Sequence, residues 1–195
     1  MDDWAEKKRR ILDKYYRSAK LLDVETGEFG IASDDKTVVG TYGLSRCIAT
    51  VVVAEAAGKL HRFVSHAAPF SVSFYLHRHM DGLKNLLTDI EKGGAPAVIK
   101  EVKLVSSSSM RDKNNMNEFE AGLLDSLTGI LQPYRDQGQV FCATFEPGTF
   151  VKVLPNGKII LSTVQQTIDT LQPEQRQNLH PGLLRSGKTT PTPIL

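Results

Sequence analysis

Runs of hydrophobic and β-branched residues divide the chain into strand-like segments. Residues 48–54 form one such run, and 60–67 form a second one beyond the tetrapeptide Ala56-Ala57-Gly58-Lys59. Because this tetrapeptide favours a turn, the two runs predict a β-hairpin. Further strands are predicted at 37–39, 98–105 and 140–145.

A second hairpin is predicted at Asn156-Gly157. This dipeptide is the one most favoured in two-residue hairpin turns, since both of its positions tolerate a positive φ. It separates the stretches 151–155 and 158–161, which have strand character.

Helical periodicity marks three other parts of the chain. The first is an N-terminal amphipathic helix with a basic outer face, and its apolar side comprises Trp4, Ile11, Leu12, Tyr15, Ala19 and Leu22. The second ends at Gly93-Gly94 and presents Met80, Leu83, Leu86, Leu87 and Ile90. The third presents Phe119, Leu123, Leu124, Leu127, Ile130 and Leu131.

The polar stretches between these elements predict loops and a tail. Residues 23–36 and 106–115 are expected to be loops, the latter flexible. Beyond about residue 172 we expect a short helix at most, followed by a disordered tail. Hairpins mixed with separated helices favour an α+β fold over a doubly wound parallel sheet. We expect an N-terminal helix and loop at 1–30, one domain at 31–165, and a polar tail at 166–195.

Composition narrows the classes of function. The chain has 195 residues, of which 41% are hydrophobic, and this suffices for one well-buried domain. A formal net charge of +2 gives no overall field directed at nucleic acid or an anionic membrane. No segment approaches the roughly 20 apolar residues of a membrane helix, and the N-terminus lacks a signal-peptide core. We expect a cytoplasmic protein, with export without a cleaved signal left open.

Neither a metal nor a cofactor is expected. His77 and His79 are accompanied by no acidic or cysteine ligand, and Gly93-Gly94 matches no phosphate-binding fingerprint. The two cysteines, Cys47 and Cys142, are too few for a disulfide framework. Composition does not indicate the oligomeric state.

The cysteines differ in their surroundings. Cys142 lies in an apolar strand pattern, which is typical of a core position. Cys47 follows a loop that contains Gly43 and directly precedes a strand, so its sulfur is expected at the rim of a sheet. A thiol there becomes a nucleophile only with a base beside it.

The predicted hairpin supplies a candidate base. A turn centred on Ala57-Gly58 places His66 opposite Ala49. Cys47 lies two positions before Ala49 and is therefore on the same face of the strand. Diagonal neighbours of this kind lie about 7–8 Å apart between Cα atoms. His61 is the weaker candidate, because the same register puts it on the opposite face from Cys47. Thr41 is a candidate to orient the imidazole through its hydroxyl or its carbonyl.

The segment Thr41-Tyr42-Gly43-Leu44-Ser45-Arg46-Cys47 matches a family motif, T-x-G-L-x-x-C. The motif resembles that of the chemoreceptor glutamine deamidases (CheD) and is similar to the loop of cytotoxic necrotizing factor and related deamidating toxins. The resemblance covers residues 37–161, strongly at the motif and weakly elsewhere. It implies a β-sandwich flanked by helices, with Thr41, Cys47 and His66 as the active site.

The implied reaction is hydrolysis of a glutamine side chain on a partner protein, releasing ammonia through a thioester on Cys47. Two features depart from the family pattern. Arg46 stands where small residues are usual, and serines occupy 106–109 where the bacterial family has glycines.

Alternative functions stay open on the residues alone. A catalytically silent CheD-like interaction module would retain the fold, and a related thiol amidase, peptidase or transglutaminase would begin with the same thioester. The role as a housekeeping enzyme, toxin or effector and the identity of the target are also open.

Overall fold

The computed structural model describes residues 20–44, 47–68, 74–106, 118–141, 143–148, 150–162 and 192–193. Within these ranges the chain has the predicted α+β character, with ten strands and two helices. The strands are β1 (Lys20–Asp23), β2 (Phe29–Ala32), β3 (Thr37–Tyr42), β4 (Ile48–Ala56), β5 (Lys59–Ala67), β6 (Val98–Ser106), β7 (Ala143–Pro147), β8 (Phe150–Val153), β9 (Ile159–Ser162) and β10 (Thr192–Pro193). The helices are α1 (Phe74–Lys92) and α2 (Glu118–Asp136).

The strands form two sheets. One has four strands in the order β1-β3-β8-β9, and the other has six in the order β10-β7-β6-β4-β5-β2. The pairs β1–β3 and β6–β7 are parallel, and the remaining neighbours are antiparallel.

Two apolar layers enclose the six-stranded sheet. The layer shared with the four-stranded sheet includes Val39, Val51, Val53, Val64, Val151 and Val153. The layer under the helices includes Val52, Phe63, Leu83, Leu87, Leu123 and Leu127. Successive side chains of a strand point to opposite faces, so β4 contributes to both layers. Its apolar run is continuous because both of its faces are buried.

The β4–β5 hairpin has the predicted register. His66 lies opposite Ala49, and His61 lies opposite Ala54. Ala57 and Gly58 have φ values of 49° and 73°. Two consecutive positive φ values are those of a type I′ turn, whose twist matches that of the flanking strands.

The second hairpin exists, but its loop is longer than predicted. The last ladder pair is Val153 opposite Ile159, and Leu154 N–H donates to the Lys158 carbonyl at 3.0 Å. The loop between Leu154 and Lys158 therefore has three residues, 155–157, instead of the two predicted. Gly157 N–H donates back to Leu154, and Gly157 alone has a positive φ, 81°. This is a type I turn followed by a left-handed glycine.

The N-terminal part of the described chain differs most from prediction. Leu22, expected on the N-terminal helix, lies in β1, and the rest of that helix lies outside the described residues. The predicted loop 23–36 contains β2, which pairs with β5. Phe29 and Ile31 pack against the helical layer, whereas a side chain at Gly30 would meet Val24 at 2.7 Å. Strand β2 therefore crosses the domain boundary predicted at residue 31.

Other boundaries shift less. Strand β3 runs through Gly40 without interruption. Glycine fits this position because a Cβ there would meet the Val151 carbonyl of the neighbouring strand at 2.7 Å. Strand β7 begins at Ala143, later than predicted, and Val140 before it is 97% exposed.

Both helices predicted after residue 68 are present, and Gly94 ends α1 with a φ of 85°. The predicted loop 106–115 lies outside the described residues except for Ser106, which ends β6. In the predicted tail, the described residues Thr192–Pro193 form β10 instead. Neither described helix is long and apolar enough to span a bilayer.

Candidate active site

Thr41 lies in β3, on the face that packs against the six-stranded sheet. It is opposite Val151 in the ladder, and its side chain is buried. Its hydroxyl donates to the Val24 carbonyl at 2.7 Å. The same Oγ1 lies 2.8 Å from Nδ1 of His66 across the interface between the sheets.

The hydroxyl of Thr41 decides which tautomer His66 adopts. A threonine has one hydroxyl proton, and a carbonyl oxygen can only accept, so this proton is engaged by Val24. The contact with His66 is then a hydrogen bond in which Nδ1–H donates to Thr41. In the neutral ring Nε2 is left with the lone pair, which makes it the basic nitrogen.

His66 is buried in β5, and the turn between β1 and β2 covers it. Its backbone N–H donates to the Glu28 carbonyl at 3.0 Å, and its carbonyl accepts from Gly27 N–H at 2.8 Å. Oγ1 of Thr26 lies 3.3 Å from its Nε2. Both ring nitrogens and both backbone groups are therefore in contact with neighbouring segments.

Cys47 directly precedes β4, the strand that pairs with the strand of His66. It is partly buried, packs against the layer between the sheets, and forms no disulfide within the described chain. Since Ala49 faces His66, Cys47 lies two positions before the residue opposite the histidine. The segment before it leaves β3 through Gly43, whose φ is 79°, and buries Leu44.

Two of the predicted site residues, Thr41 and His66, are hydrogen-bonded between the sheets. The third, Cys47, directly precedes β4, two positions before the Ala49 that faces His66. His61 is on the other face and its Nδ1 contacts Ser33 Oγ at 2.8 Å. Burial is the main cause that lowers the pKa of His61. The predictions for Arg46 and for Cys142 stay predictions, because residues 45–46 and 142 lie outside the described residues.

A buried cation occupies the same layer, farther along β5. Arg62 donates to the backbone carbonyls of Asp34 and Thr37. Burial lowers its pKa, and the charge of Asp34 opposes this shift. A hydrogen bond with the Thr37 side chain, followed by the N–H groups of Lys36 and Thr37, lowers the pKa of Asp34 to about 2. These contacts join the loop before β3 to β5.

Sequence reasoning did not identify Thr26 or the Val24 carbonyl. Both belong to the stretch whose composition predicts a loop, and Thr26 precedes His66 by 40 positions in the chain. The segment Glu25-Thr26-Gly27-Glu28 carries a turn signal, because glycine at the third position suits a turn with positive φ there. That signal predicts a turn but not the histidine it contacts.

The arrangement provides a nucleophile candidate and an imidazole with a defined basic nitrogen. Within the described ranges, no group of three or more His, Cys, Asp or Glu side chains is arranged to hold a metal ion. No protein-family model matches the chain, and no curated protein matches it.

Proposed function

We propose that the protein is a cysteine-dependent glutamine deamidase that acts on a partner protein. One observation carries the proposal: Thr41 holds Nδ1 of a buried histidine, and a half-buried cysteine that packs against the same layer directly precedes the neighbouring strand. The resemblance of the segment 41–47 to the deamidase motif supports the choice of a carboxamide substrate over other acyl groups.

The first half of the proposed reaction forms a thioester. Nε2 of His66 takes the thiol proton of Cys47, and the thiolate attacks the carboxamide carbon of the glutamine side chain. The tetrahedral intermediate collapses when the imidazolium returns the proton to the amide nitrogen. Ammonia leaves, and the acyl group remains bonded to sulfur.

The second half regenerates the enzyme. Water loses a proton to Nε2 and attacks the thioester, and the thiolate leaves as the carbonyl re-forms. The product is the carboxylic acid, which becomes glutamate by losing its proton to ammonia or solvent, and the thiolate and imidazolium are restored. Nδ1–H keeps its hydrogen bond to Thr41 throughout, so that the ring keeps one orientation while its other nitrogen gains and loses a proton.

The test uses heavy-oxygen water, because hydrolysis places a solvent oxygen in the new glutamate. The protein is incubated with a soluble protein extract in H₂¹⁸O, and peptides are searched for glutamate labelled at positions encoded as glutamine. We expect labelled sites with wild type and with Cys142→Ser, and none with Cys47→Ser. Equal labelling with Cys47→Ser would remove the proposal.

Transamidation is separated in the same experiment. A tagged primary amine in the reaction competes with water for the thioester. A transglutaminase would give amine adducts in preference to labelled glutamate, whereas a deamidase gives labelled glutamate. A silent interaction module gives neither product.

A further inference from the structure

The contact between Thr26 and His66 has no part in the reaction as described above. Thr26 is exposed, whereas His66 beneath it is 2% exposed. Its Oγ1 reaches Nε2, the nitrogen that Thr41 leaves with the lone pair. An exposed hydroxyl therefore contacts the basic atom of the ring.

The turn that carries Thr26 is fixed to His66. Glu28 N–H donates to the Glu25 carbonyl at 3.1 Å, which closes a β-turn with Thr26 and Gly27 at its centre. Gly27 has a φ of 89°, a value that side-chain-bearing residues rarely adopt. Gly27 and Glu28 both bond the backbone of His66, so the chain directly after Thr26 is fixed to the histidine and holds Thr26 over the ring.

We propose that Thr26 is a positioning residue that accepts a hydrogen bond from Nε2–H of the charged His66 ring and thereby favours the charged state. This inference rests on the proposed function, because the charged ring is the partner of the Cys47 thiolate. When the ring is neutral, the single lone pair of Nε2 is left for the thiol proton of Cys47. When Nε2 carries a proton, it donates to Oγ1, since a hydroxyl both donates and accepts.

The preference for the charged ring follows from hydrogen-bond strength. A bond from a charged donor is about twice as strong as a neutral one. Thr41 also favours the charged ring, because its Oγ1 accepts from Nδ1–H and this bond is stronger when the ring is charged. Loss of the Thr26 hydroxyl therefore disfavours the imidazolium, and with it the thiolate.

Several other charged groups lie near Thr26 and are the same in every Thr26 variant. Glu25 and Glu28 flank Thr26 in the turn, and Asp23 ends β1 just before it. Arg62 lies on the same face of β5, four residues away, a distance of about 13 Å along the strand. None of these is altered by substitution of Thr26, so a change in proton binding reports the hydroxyl itself.

The experiment measures alkylation of Cys47 by iodoacetamide against pH, in the full chain carrying Cys142→Ser. Thr26→Val removes the hydroxyl and keeps the shape, whereas Thr26→Ser keeps the hydroxyl. Thr128→Val is the matched control, because the Thr128 hydroxyl bonds Leu124 within α2.

We expect Thr26→Val to move the alkylation profile to higher pH and to slow the reaction about fivefold near neutral pH, the factor that a difference of about 1 kcal/mol gives. Thr26→Ser and Thr128→Val should keep the original profile. Superimposed profiles for Thr26→Val and the parent protein would overturn the inference, even with a loss of stability. A shift shared by Thr128→Val would overturn it equally.

A second readout separates this inference from the proposed function. ¹⁵N NMR follows the His66 ring through its titration, and His66→Gln identifies its signals. With Thr26→Val, the pH of half-protonation should fall whether or not the protein deamidates any target. An unchanged titration overturns the inference, while an unlabelled extract in heavy-oxygen water overturns only the function.

Discussion

Replacing Thr41 by valine removes a hydroxyl and leaves the shape of the side chain nearly unchanged. That hydroxyl donates to Val24 and accepts from His66, and the three residues are all at least 97% buried. The variant therefore leaves a carbonyl oxygen and a ring N–H unpaired in the layer between the sheets. Each unsatisfied buried group costs about 1–3 kcal/mol, so for the two groups we expect a loss of about 2–6 kcal/mol.

Thr50→Val makes the same chemical change at another buried strand position. The Thr50 hydroxyl has no hydrogen-bond partner among the residues described, and the side chain is fully buried. Its removal should leave stability unchanged or raise it by up to about 1 kcal/mol, because a hydroxyl without a partner is replaced by a methyl group. The two variants should thus differ in sign.

Urea unfolding at neutral pH provides the assay. With a slope of about 2 kcal/mol per molar urea, the Thr41→Val midpoint should fall by about 1–3 M. ¹⁵N NMR of the His66 ring should also show a loss of the single Nδ1–H tautomer in this variant. Equal midpoints for Thr41→Val and Thr50→Val, or an unchanged tautomer, would refute the role given to Thr41.

Two further predictions concern stability. Burial is the first cause that lowers the pKa of His79, so below about pH 6.5 the unfolded chain binds a proton that the folded chain resists. The free energy of unfolding should therefore decrease as the pH falls through this range. In urea titrations between pH 7.5 and 5.5, His79→Leu should make this decrease smaller, and an equal decrease in the variant and the parent protein would contradict the role given to His79. Gly40→Ala should destabilise by about 2–3 kcal/mol, because its Cβ would meet the Val151 carbonyl at 2.7 Å. Gly129→Ala, whose Cβ has open space in α2, should stabilise by about 0.5–1 kcal/mol, and thermal unfolding that ranks the two glycine variants the other way would contradict both.

The parts of the fold that sequence predicted are those governed by local interactions. The turn at Ala57-Gly58 fixes the register of a hairpin, and the register in turn fixes that His66 faces Ala49. The helices followed from their apolar periodicity and from the glycines that end α1. Each of these features depends on residues close together in the chain.

The errors arose where a distant segment changes the local preference. Glycine normally weakens a strand, but β8 lies so close to β3 that glycine is the residue that fits at position 40. Strand β2 is short and polar at its borders, and it forms because β5 offers an edge and the helical layer accepts Phe29. Neither partner is visible from the segment itself.

The same division applies to the candidate site. Sequence by itself determined that His66 faces Ala49, two positions after Cys47, because a tight turn joins the two strands. It also indicated Thr41 as the residue that orients the imidazole. Only the tertiary structure decided that the Thr41 proton is engaged by the Val24 carbonyl, and hence which nitrogen of His66 is basic. It also placed Thr26 against that nitrogen. The physical reason is that a tautomer depends on hydrogen bonds from all sides of the ring, and here they come from two sheets and a turn.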